Sequence, residues 1–506
     1  MSDSDYDSSM HISYFSNEPR NHNYSRPLDI HLTTNHSEIK ELTDIIFDKY
    51  FNIRKKEITK KHLKVLLLDL YVAWNTDPKL EIGVHMSPNF YALVKRYNQL
   101  HITRTMIDVV TTLRNHNVIS FHKGLEANHR VSRISVSPTL ENYFTDIRTS
   151  IFDINQSKEL LVLRDKEKKD IDYKDNSKTK DMRKLLEKYN EILRQTFIDI
   201  PFLEKTYLEY KGRKHNINQH SKLVRRIFSK GSFDKGGIFY GGWWQRIGEK
   251  QRDKILIDDR ETIEIDYKSL HPVLAYAKKG IDFWQSMNVT KYGYFNDSYD
   301  VPTLGIKDKE DSRAVVKLLF LTALNAKNEK ECFKAFRDQW DYLDQPYTGL
   351  FSDIFLKELL DSIRDRHYQI DDMFCSGVGI DLQQWDSNIV EYIVSDFTER
   401  NIPILCIHDS FVIWKEQLDL LVNNMNTAIK WVTGIVENPS LKYDQFQTLA
   451  WKDHILSCGG KTGLDRDYYL DSIPKSPSSP DRCKGYIERW NNHKSYFHEK
   501  YNYLKE

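Results

Sequence analysis

The feature that most constrains this chain is the run Ile402-Pro403-Ile404-Leu405-Cys406-Ile407, followed by His408-Asp409-Ser410-Phe411 and then Val412-Ile413-Trp414. An apolar strand, an acidic turn and a second apolar strand predict a β-hairpin with Asp409 at its tip. A buried strand cannot cheaply end in an unpaired carboxylate. The acid must be solvated, paired or metal-bound.

A second acid-ended strand lies upstream. Glu261 to Tyr267 alternates weakly, as a half-buried strand does, and Ile263-Glu264-Ile265-Asp266 ends it in an aspartate. Alone, such an Asp is more often a helix cap or turn acid. Two strands that each deliver one Asp can hold two Mg²⁺ ions about 3.5–4 Å apart. Mg²⁺ asks for only one or two carboxylates, taking the rest of its shell from water and substrate phosphates.

Between the acids lies Arg313-Ala-Val-Val-Lys317-Leu-Leu-Phe-Leu-Thr322-Ala-Leu-Asn325. Arg313 and Lys317 are four residues apart, so they share a helix face, which Leu321 and Asn325 continue. Asp311-Ser312 offers the cap. Arg can grip phosphate bidentately and Lys acts as a point charge. The same spacing also describes a solvated basic pair on an amphipathic helix.

Composition narrows the class. A chain of 506 residues suggests about three domains. The 74 basic and 73 acidic residues nearly cancel, so any basic groove for nucleic acid must be local. The five cysteines are scattered with no C-x-x-C pair, which argues against zinc and for reduced thiols. The start is polar and no stretch approaches 18 apolar residues. The expectation is a soluble, cytoplasmic protein with no membrane partner.

Residues 1–37, rich in Ser, Asn, His and Asp, predict a mobile tail. In 38–145, helical periodicity is clear from Lys60 to Trp74, where Leu63, Leu66, Leu67, Leu70 and Ala73 share one face. Thr103 can cap a helix to about Asn115. Extended runs follow at Val118–Phe121 and Val131–Val136, with a turn at Lys123-Gly124 between them. This grammar resembles the recognition helix and wing of a winged helix-turn-helix. Arg104, Arg114, His122, Lys123, His129, Arg130 and Arg133 are its cations for a duplex. The plainer reading is a small α/β cap with a charged, solvated face.

Residues 146–235 predict a charged, thumb-like helical region or spacer, ending in interleaved basic and aromatic residues that include Arg226. The catalytic region is placed at 236–456. Its opening run, Phe239 to Gln245, could stack template bases or form a tight aromatic turn. Residues 457–506 hold a Pro/Ser linker and a helical tail. Gly459-Gly460-Lys461-Thr462 lacks the first Gly of a phosphate loop, with Ile455 in its place.

Asp266-Tyr267-Lys268-Ser269-Leu270-His271-Pro272, with Leu274-Ala275 after it, resembles motif A of family A DNA polymerases, D-Y-S-x-x-E with a following L-A. Arg313, Lys317 and Asn325 fall on motif B, R-x3-K-x7-Y, and His408-Asp409-Ser410 on motif C, in the family's order. Motifs B and C are also similar to single-subunit phage-type RNA polymerases, which read H-D-S and carry a Thr where Thr322 stands. Gly237 to Arg252 resembles the T-G-R…I-R approach to motif A, with Ile238 in place of the Arg.

The resemblance spans Gly236 to Trp414 and implies an α+β fold, a right-hand polymerase palm and fingers beside the winged-helix-like domain. It implies that Asp266 and Asp409 bind two Mg²⁺ and that Arg313 and Lys317 bind the triphosphate of a dNTP or NTP. Asn325, His271 and Tyr267 are the further expected nucleotide contacts. His408 is expected at the primer end, and Gln384, Arg252, Arg226, Arg104 and Arg133 along primer or template. His271 stands where DNA polymerases of the family carry a Glu, and Asn325 where they carry a Tyr, so sugar choice is open. The expected function is a DNA polymerase. The alternatives are an RNA polymerase or primase of the same superfamily, a non-catalytic replication initiator or regulator, and a metal nuclease.

Overall fold

The computed structural model describes residues 24–54, 56–124, 131–210, 212–287, 297–301, 306–342, 348–436, 439–442 and 481–502. Most of the expected tail, the wing residues His129 and Arg130, the 459–462 run and the 474–480 linker lie outside them. Helices and strands are mixed, and the apolar side chains gather into two main cores.

The first core belongs to residues 24–154. Its centre is α2 (Lys56–Thr76), packed by α1 (Ser37–Tyr50) and α3 (Thr105–Asn115). The apolar face read from the sequence is too narrow, because Val65, Leu68 and Tyr71 of α2 are buried as well. Neighbours cover this helix on several sides, so apolar residues extend around it. A four-stranded sheet runs β1 (Ser25–Pro27), β2 (Glu81–Val84), β4 (Ser132–Val136), β3 (Ile119–His122), and β4 joins the other two long strands antiparallel. Helix α3 leads straight into the β3–β4 pair. The tail boundary expected at residue 37 falls too late. Arg26 of β1 pairs with buried Asp69 of α2 at 2.6 Å, and Asp69 also accepts the Asp29 amide at 2.9 Å. A buried carboxylate that needs these partners holds the segment on the domain.

The second core runs from Leu160 to Val436. Residues 146–235 therefore do not form a separate helical pair. They supply one long helix, α4 (Ser177–Gln195), and the strands β5 (Leu161–Leu163), β6 (Ile198–Asp199) and β7 (Arg225–Ser229). Tyr189 of α4 donates its hydroxyl to the Ile404 carbonyl at 2.7 Å, joining this region to the hairpin. β7 pairs with β8 (Ser232–Tyr240).

The sheet that positions the site has six strands. Its order is β11 (Leu405–Ile407), β12 (Ser410–Trp414), β10 (Arg260–Tyr267), β9 (Leu256–Ile257), β6, with β13 (Leu441–Lys442) added beside the acid end of β10. The pairs are antiparallel. β11 and β12 are buried throughout, as their unbroken apolar runs require. Helices α5 (Leu270–Lys278), α6 (Lys309–Asn325), α7 (Glu329–Tyr342), α8 (Asp353–Arg366), α9 (Gly379–Glu399) and α10 (Leu418–Thr433) contribute to the same core. Helix α11 (Lys484–Asn502) docks its Tyr486 and Trp490 on Phe197, and Arg489 grips buried Asp199 at 2.7 Å. Among the described residues no helix is long and apolar enough to cross a membrane.

Candidate active site

Strand β10 pairs with β12 in the register Ile263↔Ile413, Ile265↔Phe411, Asp266↔Ser410. The β11–β12 hairpin closes through His408 and Asp409 alone, since Ile407 pairs with Ser410. His408 takes the left-handed conformation, φ 53°, at a cost on the order of 1 kcal/mol for a non-glycine residue. The two aspartates thus come from neighbouring strands at the same end of the sheet. Both line a cavity of about 1150 Å³.

The electrostatics agree with that closeness. Asp266 is pushed up to about 7, by burial first and then by the charge of Asp409, against the opposite pull of Lys317 and Lys442. Its Oδ1 is buried and has no hydrogen-bond partner among the described residues. A third acid, Asp386 of α9, is 4% exposed. Burial pushes its carboxyl well up, and Asp409 and Asp266 push it further. The sequence sets Gln383, Gln384 and Asp386 on one helix ahead of the hairpin and points to Gln384 as the template contact, with no separate role for the acid. A hydrophobic helix with one buried Asp was the signal available.

Two crowded carboxylates, one with an unmet buried oxygen, form a donor set that suits a divalent cation. Among the described residues no group of three or more His, Cys, Asp and Glu side chains is arranged to hold a metal ion. Asp266 and Asp409 are the two carboxylates that could hold such an ion, with water and phosphate completing its shell.

Helix α6 begins a little earlier than the expected Asp311-Ser312 cap. Asp308 caps it, accepting the Glu310 and Asp311 amides at 2.9 Å each. The charge of Lys317 is felt at Asp266, at His271 and at Glu249. Arg313 is engaged elsewhere. It is ion-paired with Asp297 and lies 5.3 Å from the Tyr299 ring centre. Burial holds the His271 imidazole below the ordinary range, and the charges of Asp409, Lys317 and His408 also act on it.

Several expected contacts fall away from the cavity or are already used. Tyr267 turns into the core and donates its hydroxyl to the Met425 carbonyl at 2.6 Å, because the residue after Asp266 on a strand points to the opposite face. Arg226 is 2% exposed, paired with Glu391 at 2.7 Å and bonded to the Gly237 carbonyl. It braces β7 against β8 and α9 rather than reaching a template. Arg252 grips Glu264 with two bonds, 2.8 and 2.7 Å, and gives a third to the Ile247 carbonyl. Glu264 in turn accepts Ser410 Oγ at 2.7 Å, so this chain of bonds ties β10 to the hairpin. Asn325 bonds the Leu321 carbonyl at 2.8 Å, and a Cβ at Gly379 would collide with its amide.

His408 is exposed at the hairpin tip, 5.8 Å from the Tyr240 ring, edge to face. Gln384 is half-buried two residues before Asp386. Arg104 is exposed at the start of α3, and Arg133 on β4 donates to Ser25 Oγ at 3.2 Å. Both belong to the first core's domain. The Phe239–Gln245 run is a structural turn and no general stacking platform. Trp243 and Trp244 are buried, while Tyr240 is 40% exposed. Trp244 Nε1 and Gln245 Nε2 both donate to the Cys406 carbonyl, at 3.1 and 2.9 Å. Gly241, at φ 141°, has no room for a Cβ against the Leu223 carbonyl. The turn therefore buttresses the hairpin from below.

No known family model matches the chain, and no curated protein matches it.

Proposed function

We propose that the chain is a template-directed nucleotidyltransferase, most simply a DNA polymerase similar to the family A enzymes. It would extend a primer with dNTPs while Asp266 and Asp409 hold two Mg²⁺. The observation that carries this reading is the strand register that brings Asp266 on β10 and Asp409 at the β11–β12 turn to the same end of the sheet, lining one cavity, with the charge of Lys317 of α6 acting on Asp266. When bound, the ions supply charge neutralisation on the polyphosphate and acidify the attacking hydroxyl. The chain's own residues supply position and field. Glu264 and Arg252 keep β10 and the hairpin in register, Lys317 offers a point charge to phosphate, and neutral His271 offers a hydrogen bond without adding charge. In this reading β10, β11 and β12 are the palm and α6 belongs to the fingers. The α3–β3–β4 unit, with Arg104 exposed, is a winged-helix-like surface for duplex.

A second reading, an RNA polymerase or primase of the same superfamily, is favoured by His271. It puts an imidazole near Asp409 where a carboxylate would screen a ribose 2′-hydroxyl. Primer extension with labelled dNTPs or NTPs and Mg²⁺, on several templates, tests both. Asp409→Asn keeps the shape and should cut incorporation by orders of magnitude. Nucleotide-independent strand loss would make the protein a nuclease. Tight duplex binding with no synthesis by the wild type would make it a regulator.

A further inference from the structure

One cation at the site was not anticipated from the sequence. Lys442 ends β13 and is the direct cross-strand partner of Asp266. Direct partners in an antiparallel pair project from the same face, so the two side chains leave the sheet together, and both line the 1150 Å³ cavity. Lys442 Nζ rests on Glu249 Oε1 at 2.8 Å. The two side chains are 61% and 60% exposed, and so open a pair adds little to stability. Glu249, in the short helix Glu249–Arg252, also feels Lys317. Among the described residues Glu249 is thus ion-paired with Lys442 alone, while the charges of both lysines act on Asp266. Arg313, the other cation expected for phosphate, is committed to Asp297.

We propose that Lys442 is the second phosphate-binding cation of this site, acting with Lys317, and that Glu249 is the internal counter-ion it leaves when a polyphosphate enters. The exchange swaps one charge-assisted hydrogen bond for another to an ion of higher charge, with little to be broken first. This deepens the nucleotidyltransferase reading and rests on it for the identity of the polyphosphate, a nucleoside triphosphate.

The test uses the full chain and has two arms. In the first, inorganic tripolyphosphate with Mg²⁺ is titrated calorimetrically. Lys442→Ala should weaken binding about tenfold or more, the loss of one charge-assisted bond. Lys442→Arg should retain most of it, and Glu249→Gln should tighten it. In the second, KM for the nucleotide should rise in Lys442→Ala by a similar factor, with kcat changed much less. A melting temperature lowered in Lys442→Ala with an unchanged Kd would mean that the lysine only offsets Asp266, and the proposal fails. If the wild type binds tripolyphosphate and adds no nucleotide, the phosphate site stands and the polymerase reading falls. If the wild type extends primers and Lys442→Ala matches it in Kd and KM, the reading stands and the phosphate site falls. No tripolyphosphate binding by the wild type overturns the phosphate site outright.

Discussion

Asp266 stands opposite Ser410 in the antiparallel pair of β10 and β12, and Asp409 immediately precedes Ser410 at the hairpin corner. Ser410 Oγ donates to Glu264, the residue two before Asp266 on the same face. One strand register therefore places both acids. A slip of one residue would turn Asp266 to the opposite face. The properties of the site follow from this pairing.

Asp266 should contribute stability to the metal-free protein that is lost as pH rises from about 4 to 7, read as the difference between wild type and Asp266→Asn. The Asp266 carboxyl has an ordinary value of 3.8 and is pushed up to about 7 in the fold. Between these values the unfolded chain has released a proton that the folded chain keeps, so the unfolded state binds fewer protons and stability falls with pH. The contribution is fully present below pH 4 and lost above 7. Its upper bound is on the order of 4 kcal/mol. Asp266→Asn should flatten this dependence and melt higher than wild type at pH 8 in chelator. Added Mg²⁺ should raise the wild-type melting temperature more than the variant's. Equal pH profiles for the two proteins would refute the assignment.

Arg252→Ala should destabilise the protein by about 3–5 kcal/mol, since it leaves the largely buried Glu264 without its partner. Glu264→Gln should cost less, because the amide keeps the shape and can still accept from Ser410. Chemical denaturation of both variants, and of Arg252→Met with Glu264→Leu, separates a broken pair from a replaced one. A double variant as weak as Arg252→Ala would be inconsistent with a cost dominated by the unpaired charge.

Arg226→Ala should lower stability by about 2–3 kcal/mol, because it opens a buried gap and leaves the Gly237 carbonyl without its donor, while the part-exposed Glu391 can turn to water. Among folded molecules it should leave the salt dependence of nucleic-acid binding unchanged. Arg104→Ala should do the reverse, with little effect on melting and a salt slope smaller by about 1 if this exposed cation contacts phosphate. Binding isotherms across a salt series decide between the two. A reduced slope for Arg226→Ala would place that side chain on the nucleic acid after all.

Trp244→Phe removes the donor to the Cys406 carbonyl and should cost about 1 kcal/mol. Trp244→Ala should cost about 3–5 kcal/mol, because the ring is fully buried. Both should lower incorporation by loosening the hairpin beneath Asp409. Full activity in Trp244→Ala at a temperature where it is folded would show that the turn does not support the site.

The hairpin, the acid-ended strand β10 and the cationic helix α6 were legible because each follows from the periodicity of one short segment. An unbroken apolar run with an acidic break, a weak alternation ending in Asp and a four-residue step of cations need no knowledge of distant residues. The reach of the N-terminal tail and the supposed thumb were misread for the converse reason. Arg26 finds Asp69 and Tyr189 finds the Ile404 carbonyl only after folding.

The same distinction separates the cations that face the acids from those that do not. Sequence pattern established that a strand would end in Asp266, a turn in Asp409, and a helix face in Arg313 and Lys317. It could not say which side chains would find internal counter-charges. The fold gave Asp297 to Arg313, Glu391 to Arg226 and Glu264 to Arg252, brought Asp386 under the site and set Lys442 against Asp266. Charge pairing depends on through-space distances of a few ångströms between residues far apart in the chain, and a linear periodicity carries no information about them.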